Sequence, residues 1–160
     1  MSFFRWSAAA VVVGALGVVL CAMPTGAQDT CGCADNPKAE KAYADANVYA
    51  AHGDYHAALS EYKKVEKMTN GKCAGCKSRI LKYALEVEDW KSAEEAAQAI
   101  VAGADTNKAK ARAHEQLAVL YMEESVKRKK PEMDEQVHDE LTKALAEYAN
   151  YPDALYLDAE

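Results

Sequence analysis

The chain has 160 residues and a formal net charge of −6, from 25 Asp and Glu against 19 Lys and Arg. This length sets a prior of one domain, and the sign argues against nucleic acid or an anionic membrane as the main partner. Ala supplies much of the hydrophobic content while Phe, Trp, Gly and Pro are scarce, which argues against a sheet and for an all-α chain with close helix contacts.

Residues 1–27 read as a secretory signal. Arg5 supplies the positive charge, and residues 8–20 are an uncharged apolar run. That run is short for a membrane span, which needs about 20 residues. The small residues Thr25 and Ala27 place the expected cleavage before Gln28. A lipidated N-terminus at Cys21 fits less well, because Val19-Leu20 precede it instead of small residues. Cleavage removes Arg5 and no acid, so the mature chain is more acidic still. The expected location is periplasmic or secreted, with no membrane contact after cleavage.

Residues 28–36 form a short polar leader that holds Cys31-Gly32-Cys33. Asn36-Pro37 is a helix start, since Asn caps and Pro fits the first turn. A first helix over 37–52 is expected, with Ala42, Ala46, Tyr49 and Ala50 on its inner face. Gly53 stops it, and Asp54 caps a second helix over 55–68 with Ala58, Leu59, Tyr62 and Val65 inward. Thr69-Asn70-Gly71 is a turn.

The unit then repeats with a shift of 35 residues: Asp54-Tyr55 maps to Asp89-Trp90, Ala58 to Ala93 and Val65 to Ile100. Glu88 stands where Gly53 did, so a looser turn is expected there. Gly103 ends the second helix of this copy, and Asp105-Thr106 caps the next. In a third copy Ala118 and Tyr121 match Ala46 and Tyr49, and Leu141, Ala144, Leu145 and Tyr148 line its second helix. An insertion between its two helices holds Lys127-Arg128-Lys129-Lys130-Pro131. Such a run reads as a solvated helix end, with a docking patch for an acidic partner as the alternative. A further helix starts near Pro152.

Small residues and rings (Ala46, Tyr49, Ala50, then Gly53-Asp54-Tyr55, then Ala58 and Tyr62), recurring at this period, resemble the tetratricopeptide repeat. The resemblance covers most of the mature chain. It implies a solenoid of helix hairpins over residues 37–160, with repeats over 37–71, 72–105 and 106–151 and a partial fourth over 152–160. It also implies that a concave face lined by the first helices binds a protein or peptide. By repeat position that face comprises Tyr43, Asn47, Ala50, Ser78, Lys82, Leu85, Glu115, Val119 and Met122. Asn47 and Lys82 could belong to the carboxylate clamp of the chaperone-binding subclass, but Tyr43 stands where that clamp expects a basic residue. The half-built fourth unit suggests either a cap, a longer protein, or an assembly subunit that oligomerises through this end.

Four cysteines, Cys31, Cys33, Cys73 and Cys76, remain after cleavage, in an oxidising compartment. Each pair precedes the first helix of successive repeats, so the two pairs are expected to meet. Two disulfides stapling the leader to the second repeat are the expectation, although four cysteines allow three pairings. Each bridge would close a loop of about 40 residues, for a contribution on the order of 4 kcal/mol. A four-thiolate zinc site and a redox-active Cys73-x-x-Cys76 are the alternatives, and through them a redox or metal protein, or part of a longer thiol-disulfide oxidoreductase. Haem attachment would place His after Cys76, where Lys77 stands. His52, His56, His114 and His138 read as turn and surface residues. No nucleophile elbow, phosphate loop or catalytic carboxylate pair occurs, so no catalytic residue, metal or cofactor is assigned. The expected function is an exported scaffold for protein–protein interaction in the bacterial cell envelope.

Overall fold

The computed structural model describes residues 36–157. The signal sequence, the leader, Cys31 and Cys33 lie outside the described residues. The described chain is all-helical: α1 (Pro37–Ala51), α2 (Tyr55–Met68), α3 (Ala74–Glu86), α4 (Trp90–Gly103), α5 (Asn107–Arg128), a 3-10 turn (Pro131–Met133), α6 (Asp134–Glu147) and α7 (Pro152–Leu157). From α1 to α7, each helix packs against the next one in the chain. No described helix is long and apolar enough to cross a membrane.

Local chemistry sets these boundaries. The Asn36 side chain accepts from the amides of Lys38 and Ala39, each at 3.2 Å, and Pro37 fills the first turn where no amide is needed. Gly53 ends α1 in the left-handed region at φ +78°. The Asp54 amide donates back to Tyr49 O at 3.0 Å, and Asp54 Oδ1 accepts from the Ala57 amide at 3.1 Å.

The same turn recurs at the end of α3. The Asp89 amide donates to Ala84 O at 2.8 Å, and Asp89 Oδ1 accepts from the Ser92 amide at 3.2 Å. Glu88 takes the place of Gly53 with φ +56°. The expected loosening is therefore absent: two-ended hydrogen bonding holds a non-glycine residue in the left-handed region at a strain of roughly 1 kcal/mol or more.

Small residues let the helices approach closely. Ala39, Ala46, Ala58, Ala84, Ala93 and Ala118 are fully buried. Rings fill what they leave. Tyr43 meets Tyr62 edge-on at 5.5 Å between centroids, Tyr62 stacks on Tyr83 at 5.6 Å, and Tyr83 stacks on Tyr55 at 5.6 Å. Arg79 lies over the Tyr43 and Tyr62 rings at 5.6 and 5.7 Å, and its Nε donates to Tyr43 Oη at 3.0 Å. Tyr62 Oη donates to Asn47 Oδ1 at 2.7 Å. Burial, partly offset by the Arg79 charge, pushes the Tyr62 phenol up to about 12.

Two inward assignments are corrected. Tyr49 is 42% exposed, and Tyr43 supplies the ring of the inner face of α1. Tyr148 is 43% exposed because α6 ends at Glu147 and the chain turns extended there.

A second, smaller cluster packs α5, α6 and α7 through Ala111, Ala118, Leu141, Ala144, Tyr151 and Ala154. The insertion appears as an α5 of 22 residues followed by the 3-10 turn. Its basic run is a solvated helix end: Lys129 closes α5 in the left-handed region, Lys127 pairs with Glu88 at 3.2 Å, and Arg128 pairs with Glu124.

Candidate functional site

Two places on the molecule gather chemistry. The first is the loop from α2 into α3. Thr69-Asn70-Gly71 turns the chain with Asn70 and Gly71 both at positive φ, which delivers Cys73 to the cap position of α3. Cys76 then lies one turn along. The two Cα atoms are 5.3 Å apart, and the sulfurs are joined as a disulfide. Both residues are fully buried. The expected staples from the leader to the second repeat are thereby corrected. A Cys at the cap position and another three residues later face each other at bridging distance, so the pair closes on itself.

Glu66, in the last turn of α2, reaches the same spot. One of its carboxylate oxygens and the two sulfurs all lie within 4.8 Å of one another. Oε1 faces Lys77 Nζ at 3.7 Å, while Oε2 is buried and accepts no hydrogen bond. Lys77 Nζ also donates to Gly71 O at 3.1 Å. The sequence offered no signal for Glu66, which belongs to no motif.

The second place is a pair of adjoining hollows. One, of about 630 Å³, lies among α3, the end of α4 and the start of α5. Lys72, Lys77, Ser78, Asp105, Arg112 and Gln116 are among its lining residues. The other, of about 730 Å³, lies between α5 and the entry to α7, and is lined by Lys108, Arg112, Glu115, Gln116 and Tyr151 among others. Arg112 and Gln116 line both. Lys72, Lys77, Lys108 and Arg112 outnumber Asp105 and Glu115 there, on a chain whose net charge is −6.

Of the residues expected on a concave face, Ser78 and Glu115 line these hollows. Tyr43 is in the core, and Asn47 is engaged by the Tyr62 hydroxyl. Ala50 and Leu85 are partly buried against the core. Lys82 is exposed, with Nζ 5.4 Å above the Tyr83 ring. Val119 is half-buried, and Met122 is 38% exposed. The clamp pairing of Asn47 with Lys82 therefore has one member committed inside the fold.

Other polar groups are structural ties between helices. Lys63 of α2 pairs with Asp89 at the head of α4 at 2.9 Å. The Ser92 hydroxyl donates to Asp89 Oδ2 at 2.6 Å, which, with the Lys63 ammonium, holds the Asp89 carboxyl below its usual range against partial burial. The Tyr121 hydroxyl of α5 donates to Glu94 of α4 at 3.1 Å, and burial, with the Glu94 charge beside it, pushes that phenol up to about 12. His114 is not a surface residue: its Nδ1 lies 2.7 Å from Glu140 Oε2, joining α5 to α6.

No family model matches the chain, and no curated protein or solved structure matches it either. What stands, among the described residues, is an all-helical fold with a CxxC disulfide and a pair of hollows in which cations outnumber acids.

Proposed function

We propose that this chain is an exported helical-repeat scaffold of the tetratricopeptide kind, which holds an acidic segment of another protein against the face formed by α3, α5 and the entry to α7. The observation that carries this reading is the recurrence of one hairpin turn at a 35-residue shift, with the same amide-to-carbonyl bond and the same Asp cap in both copies. A turn repeated with its hydrogen bonds gives both hairpins the same connection, which is what a stacked array requires. The two hollows lie among α3, the end of α4, α5 and the entry to α7, and share Arg112 and Gln116.

Charge selects the ligand class. Four cations around two hollows on an otherwise acidic molecule attract a carboxylate-rich segment and repel a basic one. The signal-like residues 1–27 support a periplasmic or secreted setting.

The test is a peptide-display selection on the chain lacking residues 1–27, followed by affinity measurement of the winners. Selected peptides should be enriched in Asp and Glu. Arg112→Glu should weaken them by about tenfold or more, as expected for reversing a charge against a ligand carboxylate. Selected peptides without acidic residues, or equal affinity for Arg112→Glu, would refute the assignment.

A further inference from the structure

We infer that Glu66, Cys73 and Cys76 form a redox-gated site for a thiophilic divalent cation of the zinc type. The inference concerns the α2–α3 junction; Gly71 and Lys77 also line the first hollow, but the donor set itself, Glu66, Cys73 and Cys76, does not.

The donor set carries the argument. A carboxylate oxygen and two sulfurs lie within 4.8 Å of one another. Two thiolates and one carboxylate are a donor combination that zinc accepts, and three protein ligands leave a fourth position for an exchangeable group. The sulfurs are presented by the cap position and the first turn of α3. The carboxylate comes from a different helix and crosses the loop to reach them. Glu66 Oε2 is buried yet receives no hydrogen bond, so the carboxylate has an acceptor to spare for a cation.

The surroundings suit such a cation. With both thiols deprotonated, three negative ligands would face a doubly charged ion, and Lys77 stands 3.7 Å from Glu66 Oε1 to offset the excess. Gly71 holds the loop in the left-handed region at φ +77°, which disfavours any side chain there.

The gate is the disulfide. In the oxidised chain the sulfurs are bonded to each other and present no thiolate. A dithiol reductant supplies two electrons and two protons, breaks the sulfur–sulfur bond, and leaves as its own disulfide. The two resulting thiols then lose their protons to solvent as the cation binds. Exchange with the disulfide form of that dithiol takes the two electrons back, re-forms the Cys73–Cys76 bond and expels the ion.

The experiment uses the full chain with Cys21→Ser, Cys31→Ser and Cys33→Ser, so that Cys73 and Cys76 are the only thiols. The protein is reduced anaerobically and titrated with Co²⁺ as an optical probe, then with Zn²⁺ in competition. One equivalent should bind, with a thiolate-to-cobalt charge-transfer band that Zn²⁺ abolishes. The oxidised protein should give no band. Glu66→Gln, which keeps the shape and removes the charge, should weaken Zn²⁺ by at least about tenfold, the lower end of what losing even an outer-shell partner costs. Circular dichroism of the oxidised variant should show unchanged helix content, separating loss of a ligand from loss of fold. Absence of the band in the reduced chain overturns the inference. So does a Glu66→Gln variant that binds as tightly as its parent.

Discussion

The two hairpin turns make opposite predictions for substitutions at equivalent positions. Gly53 has φ +78°, and an added Cβ would meet nothing within 4 Å. Gly53→Ala therefore introduces no clash, and its cost is conformational alone. The left-handed region costs an L-residue about 1–2 kcal/mol, while the loss of glycine's freedom in the unfolded chain returns about 0.4–1 kcal/mol. The net expectation lies between no change and a destabilisation of about 1.6 kcal/mol, up to about 6 °C in Tm for a domain of this size.

Glu88 already carries that strain at φ +56°. Glu88→Gly relieves about 1–2 kcal/mol, loses about 0.5–1 kcal/mol to added chain entropy, and gives up an exposed pair with Lys127 worth at most about 1 kcal/mol. The net lies between about 1 kcal/mol of destabilisation and about 1.5 kcal/mol of stabilisation. Urea denaturation followed by far-ultraviolet dichroism measures both variants. A stabilised Gly53→Ala, or a Glu88→Gly destabilised by more than about 1 kcal/mol, would refute the shared left-handed geometry on which the repeat rests.

Leu141→Ala, which empties a buried position between α5 and α6, should cost about 2–5 kcal/mol in urea unfolding. The Tyr62 phenol is raised from 10.0 to about 12, so its contribution is complete below pH 10 and fades as pH rises toward 12. Alkaline titration of Tyr62→Phe should accordingly show a shallower loss of stability over that window than the parent. The Asp89 carboxyl is lowered from 3.8, so its contribution is complete above that pH and disappears as pH falls through the lower folded value. The stability gap between parent and Asp89→Asn should be constant at neutral pH and shrink below about pH 3.8, which acid-series denaturation curves would reveal.

The helix ends were legible because single residues punctuate them. Asn36-Pro37, Gly53-Asp54 and Asp105-Thr106 each announce a boundary that the hydrogen bonds then occupy. The inner face of α1 was less legible. Ala39, Ala42 and Ala46 tolerate either Tyr43 or Tyr49 as the adjacent ring, and the choice depends on where Tyr62 and Arg79 arrive from other helices. Glu88 hid its turn because propensity speaks against a left-handed glutamate, whereas the bonds at both ends of the turn impose it. The Cys73–Cys76 pairing was missed because a helix start brings residues three apart to bridging distance. The contacts of Glu66 and His114 were not legible, since each depends on groups outside its own helix.

The central claim is that the face made by α3, α5 and the entry to α7 holds an acidic protein segment. Backbone amide shifts of the ¹⁵N-labelled chain during titration with a display-selected acidic peptide test it most directly. The account predicts shifts clustered at Ser78, Arg112, Gln116 and Tyr151, around the two hollows. Shifts confined to the basic run from Lys127 to Lys130, or scattered over the outer faces of α2 and α4, would contradict it.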